Sequence, residues 1–180
     1  MENKSGEKKL SMTYKVKETI VKTSLLALAT TFEIVSKHSP ELKAEIADWE
    51  DGRVFSLGVL PDGPAVSLKK EGDQIRYLGK GYKNPKLKVL FKNVDAALLP
   101  FTGQMGSHTA FVQHRAIVHG NIGEAMQASR AMDIVQTYLM PVFILKKNSK
   151  RPPKLTGAEM LLKARVMTTL GIGLLLNMTK

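Results

Sequence analysis

Residues able to do chemistry are sparse in this chain and do not gather. It holds four histidines, 16 carboxylates and no cysteine. Without cysteine there is no thiolate nucleophile, thiolate metal ligand or disulfide, so the sequence does not require an oxidising compartment. His108 and His114 share one face of an expected strand but stand roughly 20 Å apart at strand rise, and His119 points to the opposite face from His114. No H-E-x-x-H, no paired-histidine helix and no cysteine ligand marks a metal site. No G-x-S-x-G elbow presents a serine nucleophile. The carboxylates fall singly, without the local pairing that acid–base work uses. Gly79 and Gly81 faintly resemble a phosphate-binding loop, yet neither a helix start nor a Lys-Ser/Thr pair follows, so a turn is the expected structure. These residues predict no enzyme, no cofactor and no metal site.

What the chain offers instead is apolar surface and positive charge. Its 180 residues suit one domain, or one domain with helical extensions, and 43% hydrophobic with 24% charged residues is ordinary for a globular protein. The net charge of +11 suits an anionic partner, with a plain solvated basic surface as the unspecific alternative. The basic residues cluster at Lys69 and Lys70, along Lys80, Lys83, Lys86, Lys88 and Lys92, and in the tract Lys146, Lys147, Lys150, Arg151 and Lys154. Nucleic acid is not the expected partner: aromatic content is 6%, no nucleic-acid motif is present, and the basic residues alternate with core positions. The first residues lack an apolar signal core, and the longest apolar or glycine run, Leu170–Leu176, is too short to cross a bilayer. The expected location is the cytoplasm.

The elements follow from periodicity. Val21, Leu25, Leu28, Phe32 and Val35 recur four and three apart, one face of a helix over Thr13–Ser36 that docks on the domain or on a second subunit. Ser39-Pro40 restarts a helix with Leu42, Ile46 and Trp49 on its apolar side. Alternation at Phe55, Leu57 and Val59, at Val66 and Leu68, and at Ile75 and Tyr77 predicts an antiparallel meander with one face buried. A fourth strand places Leu87, Val89 and Phe91 inward and Lys86, Lys88 and Lys92 outward. Asn93 caps a short helix that Pro100 bends or ends. Thr109–His119 reads as a fifth strand, and Asn121 with Glu124 as a variant capping box for the helix ending at Met140. Val142–Leu145 reads as a short sixth strand. The last helix, Gly157 to about Met178, is apolar at Met160, Leu161, Ala164, Met167 and Leu170, and wants cover from its own domain, a partner or a membrane.

The block Leu87–Leu139 resembles the sterol carrier protein 2 domain family. That family's pattern is a strand, an aspartate-containing short helix ending in a Thr-Gly turn, a strand running from Ala-Phe to Gly-Asn, and an amphipathic helix. Here the matching residues are Asp95, Thr102-Gly103, Ala110-Phe111 with Gln113, Gly120-Asn121, and Gly123 with Ala125-Met126. Two departures are Pro100, where the short helix usually continues, and His114, where a glycine is common. The resemblance covers roughly residues 49–145.

The resemblance implies an α+β fold: a five-stranded, largely antiparallel sheet covered by helices, with an apolar cavity between them and extra N- and C-terminal helices. On this reading 1–12 is a disordered tail, 13–48 an N-terminal helical extension, 49–145 the lipid-binding domain, 146–155 a basic linker and 156–180 a C-terminal helix. The implied function is non-catalytic binding and transfer of a hydrophobic ligand: a fatty acid, an acyl or isoprenoid lipid, or a sterol-like lipid. Leu98, Phe101, Met105, Phe111, Ile117, Met126 and Met132 are the expected ligand-binding residues. The basic faces are expected to dock peripherally on an anionic membrane surface. The alternative is an accessory or scaffold subunit that presents an isoprenoid intermediate to a partner enzyme, with the terminal helices recruiting that enzyme or a second copy.

Overall fold

The computed structural model describes residues 3–141, 144–145 and 155–178, with side chains over 13–107, 109–141, 144–145 and 155–171. The elements run α1 (Asn3–His38), α2 (Pro40–Ile46), β1 (Val54–Val59), β2 (Ala65–Glu71), β3 (Gln74–Lys80) and β4 (Leu87–Phe91). They continue with α3 (Val94–Phe101), α4 (Ser107–Val112), β5 (Ala116–His119), α5 (Ile122–Leu139) and a C-terminal helix, α6 (Gly157–Met178).

The five strands form one sheet in the order β3-β2-β1-β4-β5. Only β1 and β4 pair in parallel; the other three pairings are antiparallel. Phe55, Leu57, Val59, Val66, Leu68, Ile75, Leu87, Val89 and Phe91 are all buried, as their alternation requires. On the other face, Ser56 and Ser67 share a 2.6 Å hydrogen bond. The loop after β3 folds back over them: the amide of Lys83 donates to Ser67 Oγ at 2.9 Å and that of Gly81 to the Ala65 carbonyl at 2.8 Å. Tyr82 lies where any side chain at Gly58 would have to sit. The amides that a phosphate loop would offer to a ligand are thus used to hold the loop on the sheet.

α1 is the helix that covers the sheet. Val21, Leu25, Leu28, Phe32 and Val35 are fully buried, packed in one core with the sheet and α5. By length and composition Thr13–His38 could cross a membrane, but its apolar face is taken up by this core. Five large side chains at about 2 kcal/mol each amount to on the order of 10 kcal/mol gross, comparable to the roughly 5–15 kcal/mol net stability of a whole domain. Residues 13–48, read as an extension, are therefore part of the same folding unit as 49–145. α1 also covers the outer edge of β3, where the amide of Ile75 donates to Ser36 Oγ at 3.0 Å and that of Tyr77 to Glu33 Oε2 at 3.3 Å. Exposed edge amides invite pairing with another chain, and here helix side chains occupy two of them. The helical backbone starts at Asn3, inside the stretch read as a disordered 1–12 tail; no proline stands there to stop it.

Three other expectations change. Thr109–His119 is not one strand: Ser107–Val112 is helical, His114 turns the chain at φ 53, and only Ala116–His119 pairs with β4. The helical turn buries Ala110 in the core and leaves Val112 78% exposed, which strand alternation would have put on one face. Tertiary packing outweighs the strand preference of Thr109, Phe111 and Val112. His114, where a glycine is common in the resembling family, sits in the left-handed region that glycine favours. In the expected sixth strand, Ile144 and Leu145 are helical and both bond back to the Pro141 carbonyl; Val142 and Phe143, with residues 146–154 of the basic linker, lie outside the described residues.

The caps formed as their residue types predict. Ser39 accepts from the Leu42 amide at 3.3 Å and Asn93 from the Ala96 amide at 2.7 Å. Asn121 accepts from Gly123 and Glu124, but the Glu124 side chain does not return to complete a capping box. It reaches Arg53 instead, at 3.0 Å, while Gln127 takes the other guanidinium nitrogen at 3.3 Å and the Trp49 ring lies 5.7 Å beneath. The Arg53 side chain is only 8% exposed, so this pair ties the start of β1 to the start of α5 in a largely dry setting. The Glu50–Lys86 pair is by contrast well exposed on both sides. Glu124→Ala is predicted to cost about 2–3 kcal/mol, because Arg53 stays buried without its counter-charge. Glu50→Ala is predicted to leave the midpoint close to that of the wild type, because solvent screens an exposed pair. Urea-unfolding midpoints of the two variants measure the difference.

Candidate functional site

α3 ends at Pro100-Phe101, and Thr102 closes it by donating from its amide and its hydroxyl to the Leu98 carbonyl at 2.9 and 2.7 Å. Gly103, at φ 70, then turns the chain across the second half of α5. A Cβ there would run into Ile144 and meet the Met140 sulfur at 3.1 Å, so only glycine lets the turn lie this close. Between this turn, the start of α4 and α5 lies a half-open cleft of about 490 Å³. Met105, Ile134, Met140, Ile144 and Leu145 form its apolar wall; Ser107, Thr109, Gln136, Thr137, Asp133 and Glu41 supply its polar atoms. Methionine's flexible thioether adapts to variable apolar shapes, and two methionines line this wall.

Two further grooves are present. One, of about 550 Å³, lies where α1 crosses the ends of β2 and β3, with Leu25, Leu26, Ala65 and Val66 inside and Lys22 and Lys80 among its lining. The other, of about 420 Å³, lies among α1, α2, α5 and α6 around Tyr138, Ser39, Leu161 and Leu162. Burial raises the pKa of Tyr138, whose hydroxyl donates to Ser39 Oγ at 3.4 Å. α6 closes that region through Lys163, which donates to the Thr137 and Met140 carbonyls at 2.8 and 2.6 Å and so caps the C-terminus of α5. Burial pulls the pKa of Lys163 down.

The cleft beside Gly103 is set apart by Ser107. Its side chain is buried at 4% exposure, it lines the cleft, and its hydroxyl has no hydrogen-bond partner. Among the described residues, neither of the other grooves is lined by such an orphan.

Of the expected ligand-binding residues, only Met105 lines this cleft. Phe101 and Met132 are buried in the core at 5% and 3% exposure, with Phe101 edge-on to Phe91 at 5.1 Å. Leu98 and Phe111 are half-buried against that core. Ile117 and Met126, at 37% and 41% exposed, face solvent and line none of the three volumes. Ile117 alternates onto the outer face of the sheet, and Met126 lies on the solvent side of the first turns of α5. Ile134, Met140, Ile144, Ser107 and Gly103 also line the cleft and were not among the expected residues. The spacing Asp133, Gln136-Thr137, Met140 with Ile134 was the available signal, a second face of α5 beside the one that carries Ala128, Ala131 and Val135 into the core. On α6 the face turned inward is Leu162, Val166 and Leu170, while Met160, Leu161 and Met167 are exposed at 59%, 76% and 37%. The helix is apolar nearly all round, so periodicity does not select between its faces. No group of three or more potential metal ligands occurs among the described residues.

No family model matches the chain, and no curated protein does. Among solved structures the chain is similar to sterol carrier protein 2 domains, the family whose pattern its sequence resembles. A UbiJ-SCP2 ubiquinone synthesis protein is 19% identical, over 61% of this chain and 96% of that one, with a TM-score of 0.44. The sterol carrier protein domain 2 of Helicoverpa armigera is 19% identical, over 60% and 84%, with a TM-score of 0.41. Sterol carrier protein 2 from Yarrowia lipolytica in its apo form is 14% identical, over 69% and 90%, with a TM-score of 0.39.

Gly103→Ala is predicted to destabilise the chain by about 1–3 kcal/mol, from left-handed strain plus overpacking against Ile144. Thermal unfolding of the variant beside the wild type checks this.

Proposed function

We propose that this chain binds and hands on a hydrophobic molecule without transforming it, and that the cleft under the Gly103 turn is where that molecule sits. One observation carries the reading: an apolar wall of Met105, Ile134, Met140 and Ile144 faces open space of about 490 Å³ at a joint between helices. That volume falls inside the roughly 300–1,000 Å³ typical of small-molecule sites. Each methylene taken from water contributes about 0.8 kcal/mol, so ten of them contribute on the order of 8 kcal/mol gross. Ordering the ligand offsets much of this. Modest residual affinity suits a molecule that is to be passed on.

Lys80, Lys83, Arg76 and Lys92 are exposed, and Lys88 stands over the Tyr82 ring at 5.6 Å. These support docking on an anionic bilayer, at about 1 kcal/mol per lysine near the surface. Exposed Met160, Leu161 and Met167 on α6 favour a second reading, an accessory subunit that recruits a partner or a second copy through that helix.

Native mass spectrometry of the purified chain tests both readings. The first predicts a bound hydrophobic mass, or uptake of one from vesicles; a chain that neither carries nor takes up such a molecule contradicts it. The second predicts a dimer or hetero-complex that Leu161→Ser abolishes, and unchanged assembly in that variant removes it.

A further inference from the structure

The two edges of the sheet are finished differently. Along β3, the amides of Ile75 and Tyr77 are taken by Ser36 and Glu33 of α1. β5 forms the other edge and pairs only with β4. The Lys92 amide donates to the Arg115 carbonyl at 3.0 Å, in register with Leu90 opposite Ile117 and Lys88 opposite His119. In an antiparallel ladder, successive residues turn their backbone groups alternately toward and away from the neighbouring strand. Ile117 and His119 therefore face β4, while Ala116 and Val118 turn their N–H and C=O groups outward. Among the described residues these outward groups bond to nothing else in the chain. An open strand edge is a template for an added strand.

Side chains select what can be added. Ala116 and Val118 pack on the core, while Ile117 and His119 are exposed on the outer face. Across the last two strands that face carries Lys88 beside His119, Leu90 beside Ile117, and Lys92 beside Arg115. Cations thus bracket an apolar step. Lys88 stands over the Tyr82 ring and Arg115 Nε donates to the Gln113 side chain at 2.9 Å, so neither contact neutralises a charge. A second copy added here would set cations against cations, with +11 already on each chain. The chain's own tract Lys146–Lys154 holds no acid to offer. A bilayer would meet the charges but not use the row of backbone groups.

We propose that β5 accepts an extended, acidic segment of a partner protein as an added antiparallel strand. The partner's backbone bonds Ala116 and Val118. An apolar residue stands beside Ile117, and acids two positions to either side stand beside Arg115 and His119, toward Lys92 and Lys88.

The test is the fluorescence anisotropy of dye-labelled peptides mixed with the full chain. The probes are Thr-Glu-Thr-Val-Thr-Glu-Thr, its lysine counterpart, and two N-methylated forms of the acidic peptide. Methyls on the threonine amides beside valine block the bonds to Ala116 and Val118; methyls on the glutamate amides point away from β5. The acidic peptide binds, more weakly as salt rises. The lysine and threonine-methylated peptides bind at least about tenfold more weakly, and the glutamate-methylated peptide within about threefold of its parent. Ala116→Pro removes an outward amide without breaking a bond to β4, and weakens the acidic peptide at least about tenfold. Arg115→Gln weakens it about two- to fivefold. The methylated peptides act on the unaltered chain, so the test stands even if A116P does not fold. Equal binding of the threonine-methylated or the lysine peptide overturns the proposal, as does no binding of the acidic peptide at millimolar concentration. A dimer in sedimentation equilibrium that A116P splits also overturns it, by giving the edge to a second copy.

Discussion

Everything in this fold depends on covering α1. Its apolar stripe, from Val21 to Val35, is long and greasy enough that it must be buried somewhere. The sheet provides that cover, with Phe32 edge-on to Phe55 at 5.9 Å and Phe55 edge-on to Trp49 at 5.5 Å. Such aromatic pairs contribute beyond their buried area and fix the helix at one position along the strands. Glu33 and Ser36 then reach the open edge of β3, so one helix shields both the inner face of the sheet and part of its outer edge.

That coverage has a consequence for function. Because α1 fills the space over the middle of the sheet, Phe101 and Met132 are consumed as core. Open volume is left instead between helices and where α1 crosses the ends of β2 and β3. At the turn after α3, Gly103 lets the chain lie close to Met140 and Ile144 while Met105 and Ser107 line the cleft. α6 fastens the far end of the helical layer through Lys163 on the last carbonyls of α5 and Val166 in the core. The cleft is thus formed by helix ends and a turn, apart from the strands of the sheet.

Much of this was legible in the residues. The four- and three-residue spacing of α1, the alternation through β1 to β4, and the caps at Ser39, Asn93 and Asn121 each report a local rule that the packing then obeys. The parts that were not legible are those where tertiary contacts choose between local options. Residues 107–112 carry strand-formers but are helical because Ala110 is needed in the core. α6 is apolar on all sides, so only its anchors determine which stripe turns inward. Met105, expected from the sequence to bind ligand, lines the cleft, while Ile134 and Met140 sit on a second face of α5 whose meaning comes from what lies opposite. Ser107 could not be identified before its lack of a partner was visible.

Methionine methyl groups offer the most direct test of where a ligand sits, since the chain has nine methionines and several stand at informative places. In a spectrum of the chain labelled with ¹³C at the methionine methyls, adding a neutral long-chain alcohol should shift the resonances of Met105 and Met140. Met160 and Met167, on the outer side of α6, should stay in place. Shifts confined to Met160 and Met167, or no shifts at all at saturating alcohol, would contradict the account.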